Sequence, residues 1–164
     1  QVRRPLVVMS PKSLLRHPEA VSGVSDLTEG VWQKVIDDPV CDKKKVSRVV
    51  LCSGKFYYDL AAKQKELGAE GAHVALVRLE QLYPLPVEEI KSVLAAYGNK
   101  THILWAQEEA ENQGAWWYLQ NTLLPALDKP VALIALPAMA APSVGVAGRH
   151  KENQQSLVND AFKK

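Results

Sequence analysis

The sequence predicts an α/β domain, a mainly parallel sheet with helices on both faces. Three observations carry that expectation. Short β-branched runs alternate with stretches of helical spacing, and the runs end in turn formers. Hydrophobic residues make up 47% of 164, enough for one sizeable core. The alternation itself favours parallel pairing with crossover helices, which cover both faces of a sheet.

Taken in order, Pro5-Leu6-Val7-Val8-Met9 reads as a strand. It stops at Ser10-Pro11, where serine is placed to cap a helical turn over 12–16. From His17 to Lys45 the polarity is mixed, with Leu27, Val31, Val35 and Ile36 spaced like the inner face of a short helix or an edge segment. Regular order starts at a strand over 46–52, closed by Ser53-Gly54 and followed by a helix over 56–67. A second unit pairs a strand over 73–79 with a helix over 87–97, separated by Pro84 and Pro86. A third pairs 101–106 with a helix over 112–124. A last strand over 131–136, an Ala/Pro-rich loop and a helix over 152–162 complete the chain. The expectation is one domain over 1–164, with 1–45 as a joining segment and 46–164 as the regular α/β part. The abrupt start at Gln1 reads as the middle of a longer polypeptide.

The balance of 20 basic and 18 acidic side chains gives no reason to expect a nucleic-acid or membrane partner. Cys41 and Cys52 alone do not make a disulfide scaffold and fit a reduced compartment, cytoplasmic or mitochondrial matrix. His17, His73, His102 and His150 lack metal-site spacing.

Ligands of open α/β sheets bind beyond the carboxyl ends of the strands, which directs attention to three loops. Ser53-Gly54-Lys55 offers amides, a hydroxyl and an ammonium to an anion, but it lacks P-loop spacing and reads first as a turn and helix cap. Glu80-Gln81-Leu82-Tyr83-Pro84 is the second. In the third, Glu108 and Glu109 are neighbours that point to opposite faces, so they do not form an acid–base pair, and one of them caps or bridges to another chain. Arg3, Arg4, Lys12 and Arg16 with Ser10 and Ser13 form a basic block suited to phosphate. From these residues alone, a solvated basic face, or pairing with carboxylates of a neighbouring domain, is the leading reading. Trp105, Trp116 and Trp117 form an aromatic group. Trp116 and Trp117 diverge by about 100° on a helix, which makes one of them available for a contact between chains or domains.

Four blocks, Arg3 to Arg16, Cys52-Ser53-Gly54-Lys55 with Tyr57-Tyr58, Arg78 to Pro84, and Gln107-Glu108-Glu109 with Asn112-Gln113-Gly114-Ala115-Trp116, stand in the order and spacing of a known family. Together they resemble the carboxy-terminal region of the decarboxylating component of 2-oxoglutarate dehydrogenase, an oxidoreductase of the tricarboxylic acid cycle. The resemblance implies a transketolase-like carboxy-terminal domain in a homodimer that decarboxylates 2-oxoglutarate on thiamine diphosphate. The succinyl group then passes to lipoamide on a dihydrolipoamide succinyltransferase. Thiamine diphosphate and magnesium would be held by two other domains, leaving no catalytic residue, metal ligand or cofactor in this chain. The resemblance further implies an allosteric site for AMP or acetyl-coenzyme A, matched by Ser10, Lys12 and Arg16, with Arg4, Ser13, Lys45, Lys55 and Arg78 as further candidates. Glu108, Trp116 and Trp117 are the interface candidates. The chain departs from the family pattern at Ala110, at Phe56 and at Ala135-Leu136, where the family carries Gly-Arg. A parent acting on 2-oxoadipate, and a regulatory anion-binding and dimerisation module without catalysis, are the competing readings.

Overall fold

Val49 and Leu51 face one hydrophobic cluster and Val50 and Cys52 the other, all four fully buried, so the strand that carries them is covered on both sides. This two-sided burial organises the computed structural model, which describes residues 3–163. Two units make up the chain, Gln1–Trp32 and Gln33–Lys164.

In the second unit, β1 (Val35–Ile36), β2 (Arg48–Cys52), β3 (Val74–Leu79), β4 (His102–Ala110) and β5 (Val131–Leu136) form one sheet in the order β1-β3-β2-β4-β5. Only β1 is antiparallel, pairing Val35 with Leu79 and Ile36 with Arg78. The other pairings are parallel, with Arg48 opposite both Val74 and His102. After α1 (Val24–Thr28) in the first unit, the helices of this unit are α2 (Phe56–Leu67), α3 (Val87–Ala95), α4 (Trp116–Thr122) and α5 (Ala147–Phe162). Helices α3 and α4 place Ile90, Leu94, Trp116 and Leu119 on one face of the sheet. Helices α2 and α5 place Phe56, Leu60, Leu157 and Val158 on the other. Each fully buried Leu, Ile or Phe contributes about 1.5–3 kcal/mol, against about 0–1 for a surface ion pair, so the two clusters hold the fold.

The amino-terminal side of this unit is tied down by Asp37 and Asp38. The Asp38 carboxylate is buried and accepts hydrogen bonds from the amides of Val40, Cys41 and Leu76 and from the Gln64 side chain, at 2.9 to 3.2 Å. Asp37 accepts from the Tyr97 hydroxyl and pairs with Lys43 at 2.5 Å.

The first unit contains the 3-10 helix Lys12–Arg16 and α1 (Val24–Thr28), neither of which buries a side chain. Asp26 accepts a hydrogen bond from the Gly23 amide and closes the start of α1.

The strand expected over Pro5–Met9 is absent: these residues have no ladder, because the unit offers no strand to pair with. Ser10 caps nothing either, since the cap position falls on Pro11, which has no side-chain oxygen to offer. The expected inner face of the 17–45 stretch divides between two elements: Leu27 and Val31 are exposed, while Val35 and Ile36 form the edge strand. Strand β4 runs on to Ala110 instead of stopping at 106. A bulge allows this, as β4 advances from Ala106 to Ala110 while β5 advances only from Ile134 to Leu136. Helix α4 starts at Trp116, not 112, because the residues before it form a turn, and α5 starts at Ala147, five residues before its expected start.

Candidate functional site

The helix that follows β2 lies on one face of the sheet and the helix that follows β4 lies on the other, although the two strands are neighbours. Their connections therefore diverge and leave a crevice at the carboxyl ends, the usual ligand position in such sheets. Gly54 opens it with a left-handed turn (φ 63°) that no side chain crowds, and the Tyr57 amide closes back on the Gly54 carbonyl at 3.3 Å.

Lys55 occupies this crevice. Its ammonium lies 2.7 Å from Glu108 Oε1 and 2.8 Å from Asp59 Oδ2. Partial burial works against the charge, but the hydrogen bonds and charges of Asp59 and Glu108 outweigh it, and the pKa of Lys55 lies above the ordinary lysine value. At the end of β3, Arg78 donates from Nε to Glu80 Oε1 at 2.9 Å and stacks over the rings of Tyr57 and Tyr58, 4.4 and 5.6 Å from their centroids. Burial opposes its charge as well, and Glu80 more than restores it. Cys52, beside Arg78 in register, is a buried thiol whose pKa burial pushes up to about 12. It is not an available nucleophile.

The far wall is built by amides. Gln107, 4% exposed, accepts from the Trp105 indole at 2.8 Å and from the Trp116 amide at 3.1 Å, and donates to the carbonyls of Ala110 and Gln113. Gly114 (φ 67°) passes so close that a Cβ there would meet the Gln107 amide at 3.1 Å. Asn112 and the Met139 backbone exchange two hydrogen bonds, at 2.9 and 3.0 Å, and Gln113 donates to Met139 and Ala141. The Ala/Pro loop is thus clasped to the turn after β4. A cavity of about 180 Å³ remains beside it, lined by Glu108, Leu136, Ser143, His150 and Gln154. The buried Gln154 Oε1 has no hydrogen-bond partner.

The candidate phosphate ligands are distributed over both units. Arg4 and Ser10 lie ahead of the first helix of the first unit, outside helix and strand, and Lys12, Ser13 and Arg16 lie on its exposed 3-10 helix. Lys45 precedes β2 at the amino end of the sheet, paired with Asp42 at 3.4 Å, whereas Lys55 and Arg78 stand at the carboxyl end. Those three do not form one cluster, and each is already paired with a carboxylate of its own chain. Of the interface candidates, Glu108 bridges to Lys55. Trp116 is packed in the chain's own core, and Trp117 is 59% exposed. Among the described residues no group of three or more His, Cys, Asp or Glu side chains could hold a metal ion.

A family model described as 2-oxoglutarate dehydrogenase C-terminal matches residues 21–162. The chain belongs to that family. It is 44% identical over 165 residues to the 2-oxoglutarate dehydrogenase E1 component of Cupriavidus necator, a match covering 99% of this chain and 17% of that protein. It is 39% identical over 156 residues to the 2-oxoadipate dehydrogenase complex component E1 of Xenopus laevis, covering 94% of this chain and again 17% of the relative. The chain therefore spans a minor part of the length of its relatives. A solved structure described as a split gene transketolase, inactive beta4 tetramer, superposes with a TM-score of 0.50 at 16% identity, over 71% of this chain and 38% of that one. That likeness is one of fold, and it agrees with the transketolase-like architecture expected from the sequence.

In this 2-oxoglutarate dehydrogenase C-terminal domain, the Gln107 to Trp116 block is scaffolding. Its amides hold a turn, a loop and a helix start in place. The role of Gln107 was not legible from spacing, since a bulge turns its side chain inward. His150, expected ahead of the last helix, lies in its first turn and lines the cavity.

Proposed function

We propose that the chain is the carboxy-terminal domain of a subunit that decarboxylates 2-oxoglutarate on thiamine diphosphate. The subunit would pass the succinyl group to lipoamide on a dihydrolipoamide succinyltransferase. The observation that carries this reading is the 44% identity across nearly the whole chain to a 2-oxoglutarate dehydrogenase E1 component. The parent works as a homodimer in the cytoplasm or the mitochondrial matrix. Its thiamine diphosphate and magnesium are held by domains outside this chain. This part contributes assembly and regulation, a division supported by the crevice, where Lys55 is saturated by Glu108 and Asp59 and Cys52 is sealed in the core.

The test is an assay of the full-length parent with thiamine diphosphate, magnesium and an electron acceptor. Turnover is expected with 2-oxoglutarate and none from residues 1–164 alone. Turnover by the isolated chain would overturn the division of labour. The Xenopus relative supports a second reading, a parent that prefers 2-oxoadipate, so both acids belong in the assay.

The regulatory part of the proposal places AMP or acetyl-coenzyme A phosphates on Arg4, Ser10, Lys12, Ser13 and Arg16. Among the described residues these cations make no ion pair with a carboxylate, unlike Lys45, Lys55 and Arg78. Titration calorimetry on the parent should detect binding that Arg16→Ala weakens about tenfold, the loss of a charge-assisted contact. Unchanged affinity would remove Arg16 from the site.

A further inference from the structure

Leu6, Val7, Val8 and Met9 are 87%, 77%, 70% and 92% exposed. In a strand, successive residues point to opposite sides, so as a strand this run would be apolar on both sides. The same pattern occurs in β2, where Val49, Val50, Leu51 and Cys52 are each 0% exposed because helices cover both faces of the sheet. Pro5 and Pro11 stand outside the run, at positions a strand tolerates. All five strands of the sheet come from residues 35–136, and the family match begins only at residue 21.

We propose that residues 6–9 are an interior strand of another sheet, that of an α/β domain lying outside this chain in the parent polypeptide. Three observations select that occupant. The matched relatives extend far beyond this region, which fills 17% of their length. The segment lies on the far side of both the family boundary and the unit boundary after Trp32. A run that is apolar on both sides needs cover on two faces and pairing on two edges, which the interior of a parallel sheet supplies. The sheet edge of a second copy supplies pairing on one side only. In this arrangement Lys12 and Arg16 follow the carboxyl end of a strand in that sheet, so the unit containing them joins two domains. The inference rests on the family and not on the reaction its members catalyse.

Hydrogen exchange on the full-length parent tests it. The amides of residues 6–9 are expected to exchange at least about a thousandfold more slowly than an unstructured peptide, in the range of the β2 amides. Exchange at the unstructured rate would overturn the proposal. Protection that disappears on dilution into the monomer range would overturn it in favour of a second copy. Val7→Asp and Val8→Asp in the parent provide an independent arm. Because the two side chains face opposite sides, both substitutions should lower its melting temperature, and a neutral result for either would exclude an interior strand.

Discussion

Lys55 Nζ meets Glu108 Oε1 at 2.7 Å across the carboxyl ends of β2 and β4, at the point where the connections of the two strands part. Many sheets of this type hold a ligand there. This one holds its own charges, with Asp59 completing the set.

The pair is partly exposed and screened, so a double-mutant cycle of Lys55→Met with Glu108→Gln is expected to give a coupling of about 0.5–1 kcal/mol in urea unfolding. The pH dependence has a definite sign. The folded pKa of Lys55 is raised, so its contribution is fully present below the unfolded value of about 10.4 and is lost as pH rises through the folded one. Unfolding midpoints of wild type and Glu108→Gln should therefore converge at strongly alkaline pH.

Asp37 gives the opposite limb. Partial burial raises its pKa, but hydrogen bonds from Lys43, Tyr97 and the Asp38 amide pull it below the ordinary value. The resulting stability is present above the unfolded pKa of about 3.9 and is lost as pH falls through the folded value. Asp37→Asn should thus be less stable than wild type at neutral pH and approach it in acid, as read from denaturation midpoints.

Trp116 and Trp117 are adjacent and should behave differently. Trp116→Ala empties a buried site and is expected to cost about 3–5 kcal/mol. Trp117→Ala should change the unfolding free energy by less than about 0.5 kcal/mol. If Trp117 lies in an interface, sedimentation of the parent will show weakened association for that variant alone.

Gly114→Ala combines an unfavourable φ with a Cβ placed 3.1 Å from the Gln107 amide. A loss of about 1–3 kcal/mol is expected. Because Gln107 also accepts from the Trp105 indole, the substitution should shift tryptophan fluorescence in the folded state.

What the sequence revealed follows from the range of the forces involved. Helix α2 and strand β5 were readable to the residue, because each is bounded by local signals such as Gly54, Gly68 and Pro130. The extension of β4 to Ala110 was not, since it depends on a bulge set by the register with β5. Among the candidate site residues, one of Glu108 and Glu109 was expected to cap or to bridge to another chain, whereas Glu108 pairs with Lys55 of its own chain, 53 positions earlier, and only the topology brings them together. The strand pattern of Leu6 to Met9 was read from its composition, yet a strand also needs a ladder partner, which no local signal supplies.

Asp38 has one further consequence. By accepting the Leu76 amide it occupies, with a buried negative charge, the stretch of β3 that the two-residue strand β1 leaves uncovered. An open amide row is where a foreign strand would attach, and a carboxylate placed against it repels the backbone carbonyls such a strand would bring. Opening the 37–43 loop would expose a template for aggregation, so the short edge strand and this one side chain together guard this border of the sheet against a foreign strand.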